Sequence, residues 1–250
     1  MRVSVPHPPV ILKPHEPVAE RVLLPGDPGR ALRLAQQLID GPRMLNHNRG
    51  LWGYSGTAAD GQPLTLQSTG LGGPSAAAVV AELVALGAHR LIRIGTAAGL
   101  SATPLGALVV ADAALAADGA SRALGAGDRV AADPTLAAAL AAATTARPAA
   151  PRGPAPPTTT APPAALRGLV ASADIHDPAL AAGWTEAGAL ACDLATAAVL
   201  AAAQRAGAAA GAVLAVTRAG GTRISDGDVD ALEAALGAAG VAGFGGRTGR

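Results

Sequence analysis

The stretch Leu64–Leu100, LTLQSTGLGGPSAAAVVAELVALGAHRLIRIGTAAGL, constrains the fold more than any other. Leu64–Gln67 is a short strand-like run. Ser68–Ser75 is read as irregular, because four of its eight residues are Gly or Pro. Helical spacing then takes over. Val79, Val80, Leu83, Val84 and Leu86 fall on one broad stripe, which Gly87 ends. Leu91–Thr96 is a second apolar strand, followed by a second glycine loop and interrupted by one charge, Arg93. Strand, helix, strand is a βαβ unit, and ligands of such units bind at the C-terminal ends of the strands. An unpaired charge inside a buried strand is too costly to keep. Arg93 therefore needs an anionic partner, either a structural Asp or Glu or a bound anion.

The glycines favour the anion. Without a Cβ they let backbone N–H groups approach a phosphate closely. Arg93 and the Thr96 hydroxyl add further donors. A second arrangement of the same kind lies upstream. Arg21–Leu24 is a compact strand, followed by Pro25-Gly26-Asp27-Pro28-Gly29-Arg30. Asp27 is a good N-cap and Pro28 suits the first helical position, so a helix is expected from here to about Ile39. Strand, glycine turn and helix N-terminus together hold anions. Arg30 in the first turn opposes the helix dipole, and a bound anion would offset that. Read alone, Arg30 is a solvated surface arginine.

The remaining segments continue the alternation. Leu45–Thr57 suggests a strand or hairpin carrying Arg49, and Asp60-Gly61 turns the chain into Leu64. Strands are expected at Ala107–Ala116, Leu166–Ser172, Ala189–Asp193 and Gly211–Val216. Helices are expected from Pro134 to about Ala143, over Leu194–Ala206, and over Asp228–Leu236, with a frayed glycine-rich end. The tract Ala146–Pro163, rich in Pro, Ala and Thr, reads as a flexible insertion in an otherwise single domain. The class is α/β with a mostly parallel sheet. At 250 residues the chain can bury a full core, built from Leu, Val, Ile and Ala because aromatics are only 2%. A net charge of +1 gives no electrostatic case for nucleic acid or an anionic membrane surface. No apolar run reaches the length of a membrane span, and Met1–Val10 lacks the apolar core of a secretory signal. The single cysteine, Cys192, excludes an internal disulfide and fits a reducing, cytoplasmic setting.

Six segments in order resemble the nucleoside phosphorylase family, and its uridine phosphorylase branch in particular. They are Leu23–Ala31, Asn46–Arg49, STGLGGPS at Ser68–Ser75, RIGTAAG at Arg93–Gly99, Val109–Ser121 and Cys192–Leu200. The resemblance implies a three-layer α/β/α fold around a mixed, distorted central sheet. It implies dimers, usually stacked into hexamers. It implies reversible phosphorolysis, in which inorganic phosphate displaces the base of a nucleoside to give pentose 1-phosphate, with no other cofactor and no metal. Phosphate would be held by Gly26, Arg30, Arg93 and Thr96, with Arg49 supplied by a neighbouring subunit. Sugar contacts would fall to His7, Thr69, Asp193 and Leu194, and base contacts to His176 and Arg218. Arg93, Asp193 and Arg218 would carry the catalysis.

Departures from the family pattern matter as much. Its sugar-binding strand ends in Glu-Met-Glu, where this chain reads Asp193-Leu194-Ala195. The Gln and Arg that read uracil are missing from the short loop Asp174–Leu180. Gly50 replaces a potassium-binding glutamate. A phosphorylase acting on a uridine-like or sugar-modified nucleoside is the first reading. A nucleoside hydrolase, or an impaired paralogue that only binds nucleoside or phosphate, are the alternatives.

Overall fold

Strands and helices alternate as the hydrophobic pattern requires. The computed structural model describes residues 9–100, 102–145 and 165–245. His7 and the Ala146–Pro163 tract lie outside the described residues. The N-terminal half contains β1 (Arg21–Pro25), α1 (Pro28–Leu38), β2 (Ile39–Asn46), β3 (Gly53–Ala58), β4 (Pro63–Gln67), α2 (Gly72–Ala85) and β5 (Arg90–Gly99). Then come β6 (Leu108–Ala117), α3 (Gly119–Ala123), β7 (Arg129–Ala131) and α4 (Pro134–Thr145). The C-terminal part adds β8 (Ala165–Ala173), α5 (Ala181–Glu186), β9 (Ala189–Asp193), α6 (Thr196–Ala206), β10 (Ala209–Ala219), β11 (Thr222–Arg223) and α7 (Asp226–Gly243).

The strands join in the order β11-β10-β6-β8-β9-β5-β1-β4-β3-β2, with β7 on β6 and an extra pairing of β10 to β5. That extra pairing closes β10, β6, β8, β9 and β5 into a ring, which distorts the sheet. β1 pairs in parallel with β4 and β5, whereas β5 meets β9 and β10 meets β6 antiparallel. The mostly parallel expectation is thus corrected to a mixed sheet. Helices cover both faces. Ala31 and Leu34 of α1, Leu136 and Leu140 of α4, and Leu232 and Leu236 of α7 share one buried cluster. Val79, Val80 and Leu83 of α2 and Val199 and Leu200 of α6 belong to the other. The result is the three-layer α/β/α arrangement. No helix among the described residues is long and apolar enough to cross a membrane.

Three expectations need correction, and each time glycine misled. α2 starts at Gly72, inside the stretch read as irregular, because unbonded N–H groups in a first turn tolerate Pro74 and the glycines. The supposed second glycine loop is the end of β5, which continues to Gly99 and pairs with β9 and β10. A Cβ at Gly95 would lie 3.1 Å from Arg93 Nη2, so the missing side chain is what gives the guanidinium its place. α7 does not fray at Leu236 but runs on to Gly243. Gly237, Gly240 and Gly243 recur every third residue and let it lie flush on the core. A Cβ at each would come within 2.7 Å of Leu34, 2.7 Å of Leu23 and 2.5 Å of Leu140, respectively. β2, over Ile39–Asn46, was not anticipated, since Gly41-Pro42 breaks its pattern.

Candidate functional site

A cavity of about 420 Å³ opens at the C-terminal ends of β1, β5, β8 and β9 and beside Thr217-Arg218 of β10. Three helices point their N-termini at it. Asp27 and Pro28 open α1, Leu71 and Gly72 open α2, and Ala195 precedes α6, and all of these residues line the cavity. Each N-terminus carries a partial positive charge, so the region favours an anion.

Arg93 projects from β5 and is only 6% exposed. Its Nε and Nη2 donate to Asp193 Oδ2 at 2.9 and 2.8 Å. Its Nε also lies 3.2 Å from Thr196 Oγ1. The structural ion pair left open by the sequence is therefore present. It does not use up the arginine: Nη1 is buried without a hydrogen-bond partner. Asp193 is fully engaged. Ser172 Oγ donates to its Oδ1 at 2.6 Å and Thr196 Oγ1 to its Oδ2 at 2.8 Å, while the Thr196 amide donates at 3.1 Å. Ser172 Oγ in turn accepts from the Ala197 amide at 2.9 Å. This network caps α6 and fixes Arg93 in one orientation.

Arg30, 8% exposed, is not the surface arginine that its position alone suggests. Its amide donates to the Asp27 carboxylate at 2.7 Å, and its Nε donates to Glu233 Oε1 at 2.6 Å. Glu233 is buried on α7 and also takes Arg33 Nη2 at 2.5 Å. Arg30 lines the cavity alongside Gly26, Arg93 and Thr96.

Ala173, Ile175, His176, Trp184, Cys192, Thr217 and Arg218 also line the cavity. Arg218 follows a register shift in β10 between Val216 and Arg218, a bulge that re-aims the side chain. Among the described residues no carboxylate forms an ion pair with it. His176 Nδ1 lies 3.9 Å from Cys192 Sγ. Burial, and then the neighbouring Asp193 carboxylate, push the Cys192 thiol above its usual pKa. It stays a neutral, small apolar wall residue and not a thiolate nucleophile.

The cavity thus gathers Gly26, Arg30, Arg93, Thr96, Asp193, Leu194, His176 and Arg218 from the sequence candidates. Arg49 and Thr69 are not brought in. Arg49 sits exposed on a single 3-10 turn, in a left-handed conformation with φ of 57°. Thr69 is fully buried, and its hydroxyl donates to the Pro25 carbonyl at 3.4 Å, so its side chain has no surface for a sugar. Asp193 needs the same correction. Its side chain has 0% exposure, so it positions Arg93 and α6 and offers no oxygen to a ligand. Glu233, Trp184, Ser172 and Thr196 were missed. Ser172 and Thr196 had no local signal, but Trp184 is one of only two tryptophans in the chain. Among the described residues no three His, Cys, Asp or Glu side chains cluster as metal ligands would.

A family model described as "Phosphorylase superfamily" matches residues 20–241. A uridine phosphorylase from Treponema pallidum (strain Nichols) is 42% identical over 99 residues, covering 39% of this chain and 38% of its own. A DeoD-type purine nucleoside phosphorylase from Exiguobacterium sp. (strain ATCC BAA-1283 / AT1b) is 44% identical over 84 residues, covering 33% of this chain and 35% of its own. A DeoD-type enzyme from Roseobacter denitrificans (strain ATCC 33942 / OCh 114) is 43% identical over 84 residues, covering 33% and 36%. The matched segments span little more than a third of each of these relatives, and the relatives include both pyrimidine and purine enzymes. With the fold, the order of the matched segments and a family match over most of its length, the chain belongs to the phosphorylase superfamily.

Proposed function

We propose that this chain catalyses phosphate-dependent cleavage of the N-glycosidic bond of a uridine-like nucleoside. The observation that carries the reading is the buried, unpartnered Nη1 of Arg93, beside Arg30 and Thr96 in one cavity. A buried cationic N–H without an acceptor is costly, and a phosphate oxygen supplies what it lacks. Phosphate held there attacks C1′ as the C1′–N bond lengthens. A C1′–O bond forms, the base leaves with the electron pair of the broken bond, and a pentose 1-phosphate results. The protein contributes placement of the dianion and stabilisation of the departing base. Arg218 and His176 line the same cavity, and the guanidinium of Arg218 suits a base that leaves as an anion, as uracil does. A cation and not an acid at this position favours a base that leaves as an anion, and so the uridine-like reading over the purine one. The exposed Arg49, held in a strained backbone conformation, suits the role of a phosphate ligand for a neighbouring subunit in a dimer or hexamer. The single cysteine, which excludes an internal disulfide, fits a cytoplasmic enzyme.

The test is base release from uridine, 2′-deoxyuridine, inosine and 2′-deoxyinosine with and without phosphate. Release that requires phosphate or arsenate, fastest with a uracil nucleoside, is the expected result. Equal release in phosphate-free buffer would replace the phosphorylase by a hydrolase.

A further inference from the structure

Arg30 and Arg33 lie one turn apart on α1, and Glu233 of α7 sits against both. One carboxylate therefore serves two guanidinium groups, and it divides its oxygens between them. Oε1 accepts from Arg30 Nε at 2.6 Å, whereas Oε2 accepts from Arg33 Nη2 at 2.5 Å and from Arg33 Nε at 3.2 Å. Glu233 is buried, and the side chain of Arg33 is 47% exposed. Asp230 lies 3.9 Å from Arg33 Nε, too far for a hydrogen bond, and is exposed. Arg30 lines the large cavity, but Arg33 and Glu233 do not. The division matters because a carboxylate with one arginine to itself takes the planar fork with both oxygens. Asp60 does this to Arg21, with its Oδ2 on Nη1 and its Oδ1 on Nη2. Glu233 does not do it to Arg30, since Arg33 occupies Oε2. Arg30 is held through Nε alone. Among the described residues its two Nη groups meet no acceptor, and they remain for a bound anion.

Resting on the phosphorolysis reading above, we infer that Arg33 is a positioning residue for phosphate. By holding Oε2 of Glu233, it keeps that carboxylate from closing on Arg30 with both oxygens. Both Nη groups of Arg30 are thereby left to phosphate. Without Arg33, Oε2 turns to Arg30, and phosphate has to displace it before it binds. Arg33 touches no substrate and acts only through Glu233 and Arg30.

The experiment is steady-state kinetics of Arg33→Gln, with phosphate and nucleoside varied in turn. KM for phosphate is expected to rise about three- to fivefold, the scale of a partly screened ion pair that phosphate must break. KM for the nucleoside and kcat at saturating phosphate should not follow it. Arg33→Lys, whose ammonium still reaches Oε2, is expected to recover most of the loss. Arg30→Ala removes the group through which Arg33 acts, so Arg33→Gln added to it should change KM for phosphate no further. A general loosening of the fold would instead move both KM values and persist without Arg30. An unchanged KM for phosphate in Arg33→Gln overturns the inference, and so does an equal rise in the Arg30→Ala background. Failure of the phosphorolysis reading shows differently, as wild-type turnover that ignores phosphate. Calorimetric binding of inorganic phosphate, without nucleoside, then decides the role of Arg33. Weaker binding by Arg33→Gln than by the wild type supports it. Equal binding, or binding by neither protein, overturns it.

Discussion

The two ends of the central strands both carry buried arginines, and they differ in what those arginines have left over. Arg21 begins β1 at the end far from the cavity and is 7% exposed. Its Nε donates to the Pro63 carbonyl at 3.2 Å, its Nη1 to Asp60 at 2.6 Å, and its Nη2 to Asp60 and Gln62 at 3.0 and 3.1 Å. Its guanidinium also lies over the Phe244 ring, 5.6 Å from the centroid. Every nitrogen of that group is engaged. Arg93, on the neighbouring strand and at the other end, is as deeply buried, yet Nη1 has no acceptor. Burial alone does not distinguish a scaffold arginine from a binding one. The count of satisfied donors does, because an orphaned buried N–H is tolerated only where something else satisfies it.

This contrast breaks most sharply on substitution of Arg93. Arg93→Ala is expected to lower kcat/KM for phosphorolysis by about two orders of magnitude or more, the scale of a lost charge-assisted contact to a reacting group. It also strips the buried Asp193 of its counter-charge, which costs about 3–5 kcal/mol for a broken buried pair. Arg93→Lys separates the two effects. Lysine keeps a positive charge beside Asp193 but loses the planar fork and with it Nη1. Most of the stability should return while kcat/KM stays low. Arg21→Ala, in turn, should cost stability with kcat unchanged. Recovery of full activity in Arg93→Lys would show that Nη1 has no part in catalysis.

Arg30 sharpens the comparison from a second side, because its carboxylate partner is shared. Glu233 accepts from both Arg30 and Arg33. Removal of Arg30 therefore leaves Glu233 paired, and the melting temperature should change far less than in Arg93→Ala. Activity should still suffer. Arg30→Ala is expected to raise KM for phosphate about tenfold or more, the value of one charge-assisted hydrogen bond. Steady-state kinetics with phosphate varied at saturating nucleoside measure this. An unchanged KM would reduce Arg30 to a strut between α1 and α7.

How much of this was legible in the sequence follows the range of each interaction. Asp27-Pro28 announced α1, and the spacing of Val79, Val80 and Leu83 announced α2, because caps and periodicity are local. Arg93 was conspicuous because one charge stood in an apolar strand. Its ambiguity was real, since the pairing with Asp193 and the orphaned Nη1 coexist. Glu233 was invisible. It reaches Arg30 across 203 positions of sequence, by a packing of α7 on α1 that no local pattern announces. Glycine signals a turn and a close contact with the same symbol, and only packing tells them apart. Asp193 was identified as a site residue but given the wrong part, because the sequence does not show which oxygens are already taken.

The scaffold end gives the smallest effect, and one that depends on pH. The hydrogen bond from Arg21 holds the Asp60 carboxyl below its ordinary value of 3.8; burial opposes this and the Gln62 amide assists it. A carboxyl whose pKa is lowered by folding stabilises the fold while ionised. Its contribution is complete above the unfolded value near 3.8 and is lost as pH falls through the lower folded value. Asp60 is 41% exposed in its side chain, so solvent screens the pair and the contribution is at most about 1 kcal/mol. Asp60→Asn is therefore expected to be slightly less stable than the wild type at pH 7. The gap should narrow as pH falls below 3.8, with kcat at pH 7 equal in the two proteins. Urea unfolding at neutral and acid pH measures the gap. A gap that persists unchanged in acid would mean that Asp60 supports the fold through packing or a neutral hydrogen bond, and that Arg21 is not held by charge at all. The scaffold end would then differ from the cavity end in the kind of interaction as well as in how completely its donors are satisfied.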